Sequence, residues 1–273
     1  MQSFTPAAIR ELLAAHGCRP SRALGQHFLA DPNLTAKIVR LADVVPGERV
    51  LEIGPGVGSL TVALCDAGAE VVALELDRHL LPVLHEVVGD RARVEAGDAL
   101  DADFAQIMGE GPWVCVSNLP YNVATPLVVR LLEEFPQATR ILVMVQREVG
   151  ERLVAGPGTK AYGAVSVKVA YYAAARIVGS VAAGVFVPPP KVASALVRLD
   201  RHAAPPVSVP SPEALFRLVR TGFAQRRKTL RRSLAPALGE RTEAVLRAAG
   251  VEPSARAEAL DLADWARVCR EAA

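Results

Sequence analysis

Cysteine is scarce in this sequence and spaced against pairing. Cys18, Cys65, Cys115 and Cys269 lie far apart and form no C-x-x-C pair. That argues against a zinc site or a disulfide framework and suits a reducing cytoplasm; no metal is expected. An excess of charge of one sign is missing too. The formal net charge is only +2, so no global field demands a nucleic-acid partner, and any such partner must be met by local asymmetry. Long hydrophobic runs are also absent. The most membrane-like stretch, 163–187, is interrupted by Lys168 and Arg176 and carries glycines and small residues throughout, so it reads as buried core and no membrane association is expected. The opening residues, MQSFTPAAIRELLAAHG, contain no basic segment followed by an unbroken apolar stretch, so no signal peptide is expected.

What is present is hydrophobic material and its rhythm. About half of the 273 residues are hydrophobic, enough for one large core and a small second domain. From about Arg49 to Leu199, short β-branched runs alternate with helix-length segments. The strand candidates are RVLEIG, EVVALEL, ARVEAGD, WVCVSN, RILVMVQ, ARIVGSV and SALVRLD. Alternation of this kind, with nearly continuous apolar strands, predicts an α/β fold with a mostly parallel seven-stranded sheet covered on both faces. The last two strands come closer together and suit an antiparallel edge. Around DRHAAPPVSVPSPEALF the composition shifts to Pro, Ala and Ser, which reads as a linker. The predicted division is therefore a first domain over 1–201, with an N-terminal arm over 1–46, and a small all-helical domain over 202–273.

LEIGPGVGSL places Gly54, Gly56 and Gly58 where a strand ends and a helix begins. In an open parallel sheet, ligands sit at the carboxyl ends of strands, and glycine there lets a nucleotide-like ligand approach the backbone. A tight turn with no ligand is the plainer alternative. A dinucleotide fingerprint would need glycine at 59, where Ser59 stands. The pattern actually present, E-x-G-x-G-x-G, resembles that of S-adenosylmethionine-dependent methyltransferases. Glu75 closes the second strand, where a carboxylate can accept from both ribose hydroxyls; Asp77 is the neighbouring alternative on the opposite strand face. Asp98 ends the third strand, placed to accept from an exocyclic adenine amine, although Asp-Gly at a strand end is also ordinary turn chemistry.

VSNLPYNVAT places Asn118, Leu119, Pro120 and Tyr121 at the end of the fourth strand. An adenine amine is a poor nucleophile because its lone pair is delocalised into the ring, and acceptors that hold both N–H bonds favour the pyramidal form that attacks. The Asn118 side-chain oxygen and the Leu119 carbonyl can supply those acceptors, with Pro120 fixing the turn and Tyr121 stacking on the base. Against a sulfonium methyl donor no strong base is needed, so catalysis would be positioning and desolvation. The competing reading is an Asn-Pro turn with Tyr121 in the core.

The glycine loop together with NLPY resembles class I adenine-N6 methyltransferases. LGQHFLADPN at 24–33, EIGPGVGSLT at 52–61, NLPYNVATPL at 118–127, MVQREVGERL at 144–153, FVPPPKVASALVRL at 186–199 and FAQRRKTLRRSL at 223–234 narrow the resemblance to the ribosomal RNA adenine dimethyltransferase family, nearest its small-subunit (16S) branch. The resemblance implies a Rossmann-like class I methyltransferase domain and S-adenosyl-L-methionine as cofactor. The implied reaction is dimethylation of N6 on two adjacent adenosines near the 3′ end of 16S ribosomal RNA during subunit biogenesis. It implies cofactor contacts from His27, Leu29, Gly54, Gly56, Glu75, Asp98, Ala99 and Asn118, and a monomer that meets the small ribosomal subunit. His27 departs from the family's commoner Asn; both donate a hydrogen bond from a planar group, so the contact is expected to survive.

RLVRTGFAQRRKTLRRSL carries Arg217, Arg220, Arg226, Arg227, Lys228, Arg231 and Arg232 with no acid among them. Phe216, Val219, Phe223, Leu230 and Leu234 recur at helical spacing beneath them. The segment predicts a positive patch for phosphates, centred on Arg226, Arg227, Lys228 and Arg231; a solvated helix face is the alternative. FVPPPKV presents Phe186 and Lys191 either to a target nucleotide or as structure. AGPGTKAYG is expected to be a flexible RNA-approach loop. Three rivals stay open: a large-subunit enzyme of the macrolide-resistance kind, a non-catalytic assembly factor and a nicotinamide oxidoreductase.

Overall fold

The structure is a computed structural model that describes residues 4–273, so the first three residues of the expected arm lie outside it. It divides into two compact units, one of residues 1–150 and 176–201 and one of 151–175 and 202–273.

Among the described residues the first unit carries nine strands: β1 (Phe28–Leu29), β2 (Arg49–Ile53), β3 (Glu70–Glu75), β4 (Ala92–Ala96), β5 (Trp113–Asn118), β6 (Ala138–Gln146), β7 (Ala173–Val181), whose first three residues fall on the other side of the division, β8 (Phe186–Val187) and β9 (Ser194–Arg201). Seven of them form one sheet in the order β4-β3-β2-β5-β6-β9-β7, and each coincides with a strand expected from sequence. Neighbours from β4 through β6 run parallel, while β9 is antiparallel to β6. The late pair thus lies at an edge as expected, with β9 inserted between β6 and β7. The central strands are apolar on both faces because helices cover both. Val50, Leu51, Val114, Cys115, Val116, Leu142 and Val143 are all essentially inaccessible.

The first six helices are α1 (Pro6–Ala15), α2 (Pro32–Leu41), α3 (Ser59–Asp66), α4 (Leu81–Val88), α5 (Phe104–Met108) and α6 (Ala124–Glu134). Their starts are written locally. Thr5 and Asp31 accept from backbone N–H groups of α1 and α2, and each is followed by a proline at the first helical position. The direction of winding reverses between β2 and β5, so the carboxyl ends of these strands flank a topological switch point. The remaining two strands, β1 and β8, pair antiparallel, Phe28 opposite Val187 and Leu29 opposite Phe186. They bind the GQHFL segment to the FVPPP segment. Phe186 is therefore buried and cannot present its ring to a nucleotide, which decides that part of the FVPPPKV expectation for structure.

The second unit is helical. It contains α8 (Ala164–Tyr172), α9 (Pro212–Ala224), α10 (Leu230–Ser233), α11 (Ala235–Leu238), α12 (Thr242–Ala248) and α13 (Leu262–Ala272), while α7 (Arg147–Val154) runs across the division in the chain. Its core gathers Tyr162, Val167 and Tyr171 with Leu215, Phe216, Val219, Leu230, Leu246 and Trp265. This corrects the sequence boundary: 151–175, expected in the first domain, packs with the C-terminal helices. The physical reason is aromatic. Tyr171 and Tyr172 pack their rings on Phe216, and the Tyr162 hydroxyl donates to the Leu260 carbonyl at 2.8 Å. The AGPGTKAYG segment is also more tethered than expected. Its residues 156–160 are exposed, but the Gly158 N–H donates to the Glu258 carbonyl at 2.8 Å and Tyr162 is buried.

Candidate active site

The carboxyl ends of β2, β3 and β5, with the segments that follow them and β4, line one cleft in the first unit. Its empty space, open solvent at the mouth included, is about 1000 Å³. The glycine loop forms its floor. Gly54, Gly56 and Gly58 all have φ between +59° and +83°, the left-handed region that side chains avoid. At Gly56 a Cβ would stand 2.7 Å from the Phe28 ring, so the arm strand β1 closes directly over the loop. At Gly54 the nearest neighbour of a Cβ would be the Pro120 ring at 3.5 Å, so the Asn118–Tyr121 turn packs on the same loop.

Glu75 is buried at the end of β3. One carboxylate oxygen accepts from the Gly56 N–H at 3.0 Å and the other from the Asp77 N–H at 2.8 Å. Burial raises its pKa, and these two N–H bonds oppose the rise. The carboxylate thus braces the loop and keeps further lone pairs for a diol. Asp77 is spoken for, since its oxygens accept from the Gln26 side chain at 2.8 Å and the His79 N–H at 3.0 Å. Asp98 accepts from the Leu100 N–H at 2.8 Å through one oxygen. Ala99 is buried beside it, and its carbonyl accepts from Arg130.

At the end of β5 the Asn118 side-chain amide donates to the His27 carbonyl at 2.9 Å. That bond fixes which way the amide points, and its oxygen is left buried with no partner. A buried acceptor without a donor costs free energy unless something supplies one. Tyr121 stands alongside, its hydroxyl hydrogen-bonded to Ser194 and its ring 5.3 Å from that of His27. Burial raises the Tyr121 phenol pKa, so it stays protonated at neutral pH. His27 Nδ1 lies 2.7 Å from the Pro188 carbonyl. A carbonyl only accepts, so Nδ1 carries the proton toward Pro188, while His27 itself lines the cleft. Leu29 is buried and lines the cleft.

Sequence reasoning gave no role to Glu52 and Gln26. Glu52 lies on β2 at the cleft, fully buried, with one oxygen unpartnered. Its pKa is pushed up to about 8, chiefly by burial and further by the Glu75 carboxylate, with the Thr61 hydroxyl opposing. An acid inside an otherwise apolar strand was the available signal. Gln26 accepts from the Ser21 N–H at 2.7 Å and donates to Asp77, locking the arm to the end of β3.

A nucleoside bearing a cationic amino-acid tail fits this set of polar groups: loop N–H groups, carboxylates at two strand ends and an unsatisfied amide oxygen. The family model described as "Ribosomal RNA adenine dimethylase" matches residues 19–273. The chain belongs to the ribosomal RNA adenine dimethylase family. Two curated relatives, each named "Ribosomal RNA small subunit methyltransferase A", come from Acidothermus cellulolyticus and Thermobifida fusca. Both are 46% identical, over 97% of this chain and 93% and 94% of theirs. Among solved structures, a dimethyladenosine transferase from Plasmodium falciparum aligns with TM-score 0.74 at 25% identity, covering 89% of this chain and 96% of its own. The 23S rRNA methyltransferase ErmE aligns with TM-score 0.70 at 28% identity, covering 89% and 98%. Class I methyltransferases of this family use S-adenosyl-L-methionine, and the nicotinamide reading is set aside.

In this dimethylase chain the basic run does not form one continuous helix. α9 ends at Ala224, and 225–229 turn before α10. Nor are all seven cations unpaired, as the sequence suggested. Arg226 donates to the Tyr162 carbonyl at 2.6 Å and sits 3.8 Å from Glu258, and Arg231 sits 3.6 Å from Glu243. These partners come from elsewhere in the chain, where a local reading cannot see them. Arg227, Lys228 and Arg232 are exposed and have no ion pair among the described residues. Lys191 is exposed as well.

Proposed function

We propose that this chain transfers methyl groups from S-adenosyl-L-methionine to N6 of two adjacent adenosines near the 3′ end of 16S ribosomal RNA, giving N6,N6-dimethyladenosine during small-subunit biogenesis. The observation that carries the chemistry is the Asn118 amide, oriented by the His27 carbonyl and left with a buried, unpartnered oxygen. The full-length likeness to the two small-subunit enzymes supports the target.

The cofactor supplies an electrophilic methyl on a sulfonium, a good leaving group. The protein's part is placement. The left-handed glycine turn lets loop N–H groups come close, Glu75 accepts from the ribose hydroxyls, and Asp98 accepts from the adenine amine of the cofactor. Leu29 and Ala99 pack against the bound nucleoside. The target base is held separately. The Asn118 oxygen and the Leu119 carbonyl accept its two N6–H bonds and draw the lone pair out of the ring plane. Pro120 fixes that turn, and Tyr121, tethered by Ser194, offers a ring for stacking. A protonated phenol is no base, and none is required. The 202–273 segment, with 151–175 packed into it, binds RNA through Arg227, Lys228 and Arg232. Arg226 and Arg231 shape that surface, and in the first unit exposed Lys191 is a separate contact for RNA. The protein is inferred to act as a cytoplasmic monomer, in keeping with four free cysteines.

The test is methyl transfer from labelled cofactor to small subunits lacking the modification, with large-subunit RNA in parallel and the labelled nucleotides mapped. Dimethyladenosine at adjacent positions near the small-subunit 3′ end is expected. Label confined to large-subunit RNA overturns the target. No label despite cofactor binding overturns the reaction in favour of an assembly factor.

A further inference from the structure

We propose that Glu52 senses the cofactor's charge: its carboxyl holds a proton in the free protein and releases it when the sulfonium form binds, so the site prefers charged cofactor over the neutral thioether product. This rests on the cofactor reading above.

Geometry comes first. Glu52 sits on β2 immediately before the glycine loop, lines the cleft, and has an oxygen that is buried and without a partner. The polar and titratable groups around it come from three elements. Glu75 stands at the end of β3, Thr61 and Cys65 lie on α3, and Cys115 lies on β5. Both thiols are pushed further from ionisation by burial, to about 11 and about 12, so they are neutral. Glu52 has no salt-bridge partner among the described residues. Burial is the main cause that raises its pKa and the Glu75 carboxylate adds to it; a pKa of about 8 keeps it protonated at neutral pH.

A bound ligand changes that balance. S-adenosylmethionine brings a sulfonium and an ammonium against one carboxylate, net +1, into the cleft that Glu52 lines. A cation in a low-dielectric site favours the ionised acid. Methyl transfer removes the sulfonium charge, and the thioether product is net neutral. The ionised acid then loses the charge that sustained it and takes a proton back. Two dimethylated adenosines call for repeated exchange of product for fresh cofactor, and a charge-sensitive acid at the site favours that exchange.

The experiment is isothermal titration calorimetry of the full chain with S-adenosylmethionine and with S-adenosylhomocysteine. Each is run at pH 5.5 to 7 in two buffers of different ionisation enthalpy, below the range where the cofactor's own amine titrates. Close to one proton released per S-adenosylmethionine, and about a tenfold tightening of its Kd per pH unit, are expected. For S-adenosylhomocysteine the Kd should change by less than about threefold over the range. Glu52→Gln should abolish the release. A flat S-adenosylmethionine profile, an equal slope for both ligands, or a release that persists in Glu52→Gln and so belongs to Glu75, each overturns the inference. If the variant does not fold, Glu52→Asp is titrated in its place, and a proton release unchanged in amount and pH range by that substitution overturns the inference. Absence of any cofactor binding would instead sink the functional reading, a distinguishable result.

Discussion

Replacing Asn118 by alanine should separate activity from stability. In the folded protein the Asn118 side chain makes one good hydrogen bond, 2.9 Å to the His27 carbonyl, and leaves one buried oxygen unsatisfied. Truncation strands the carbonyl, which costs about 1–3 kcal/mol, and removes the stranded oxygen, which recovers a similar amount. The two nearly cancel, so the net change in stability should stay within about 1 kcal/mol, a melting shift of roughly 2–4 °C for a chain of this size. Turnover has no such compensation. In the proposed mechanism the oxygen is the acceptor that steers the attacking amine, and loss of one preorganised transition-state hydrogen bond costs about 2.7–4 kcal/mol, or 10²–10³-fold in kcat. The assay is single-turnover methyl transfer to unmodified small subunits, with cofactor Kd by calorimetry and Tm by scanning calorimetry on the same preparation. Near-normal turnover would remove Asn118 from the mechanism. A fall in cofactor affinity matching the fall in rate would show that the residue holds the cofactor rather than the base.

Gly56→Ala combines a left-handed φ, worth about 1–2 kcal/mol, with a Cβ 2.7 Å from the Phe28 ring. It should displace the arm and weaken cofactor binding at least tenfold, read by calorimetry. Arg227, Lys228 and Arg232 changed together to alanine should weaken subunit binding and flatten its dependence on salt by up to about three phosphate contacts. An unchanged salt slope clears that patch of an RNA role. Gly222→Ala places a Cβ 2.5 Å from the Trp265 ring inside the second unit. Overpacking of about 1–3 kcal/mol outweighs the ~1 kcal/mol gained in helix propensity, so Tm should fall. Glu52 also leaves a signature in stability. Its folded pKa, about 8, lies above its ordinary value of 4.5, so the folded protein keeps a proton that the unfolded chain releases. Stability should therefore fall as pH rises between those values and level off above, and Glu52→Gln should remove that fall in urea unfolding at pH 6 and pH 8.

The parts of the site that could be read in sequence are those whose meaning is local. Gly54, Gly56 and Gly58 announce a turn by residue type, Glu75 and Asn118 announce themselves by standing at the ends of apolar runs, and Asp98 does so by following a strand candidate. Periodicity located all seven strands of the sheet for the same reason. What stayed hidden depends on partners distant in the chain. Nothing near Arg226 shows that the Tyr162 carbonyl will take it, and nothing near Phe186 shows that Leu29 will pair opposite. Residues 151–175 look like a continuation of the first domain until Tyr162 and Tyr171 are seen inside the helical core. Glu52 was visible as an acid in a strand, but its unusual ionisation arises only from complete burial beside Glu75.

The group that orients Asn118 belongs to the main chain at position 27, not to its side chain. A carbonyl is present whatever residue stands there, so the amide keeps its direction through any substitution that leaves the short β1–β8 pairing intact. The imidazole, meanwhile, bonds the Pro188 carbonyl through Nδ1. A chain that exchanges asparagine for histidine at this position keeps the backbone acceptor that aims the Asn118 amide, and the same feature gives an engineer a place in the cleft where a side chain can be varied while that aim is held by the main chain.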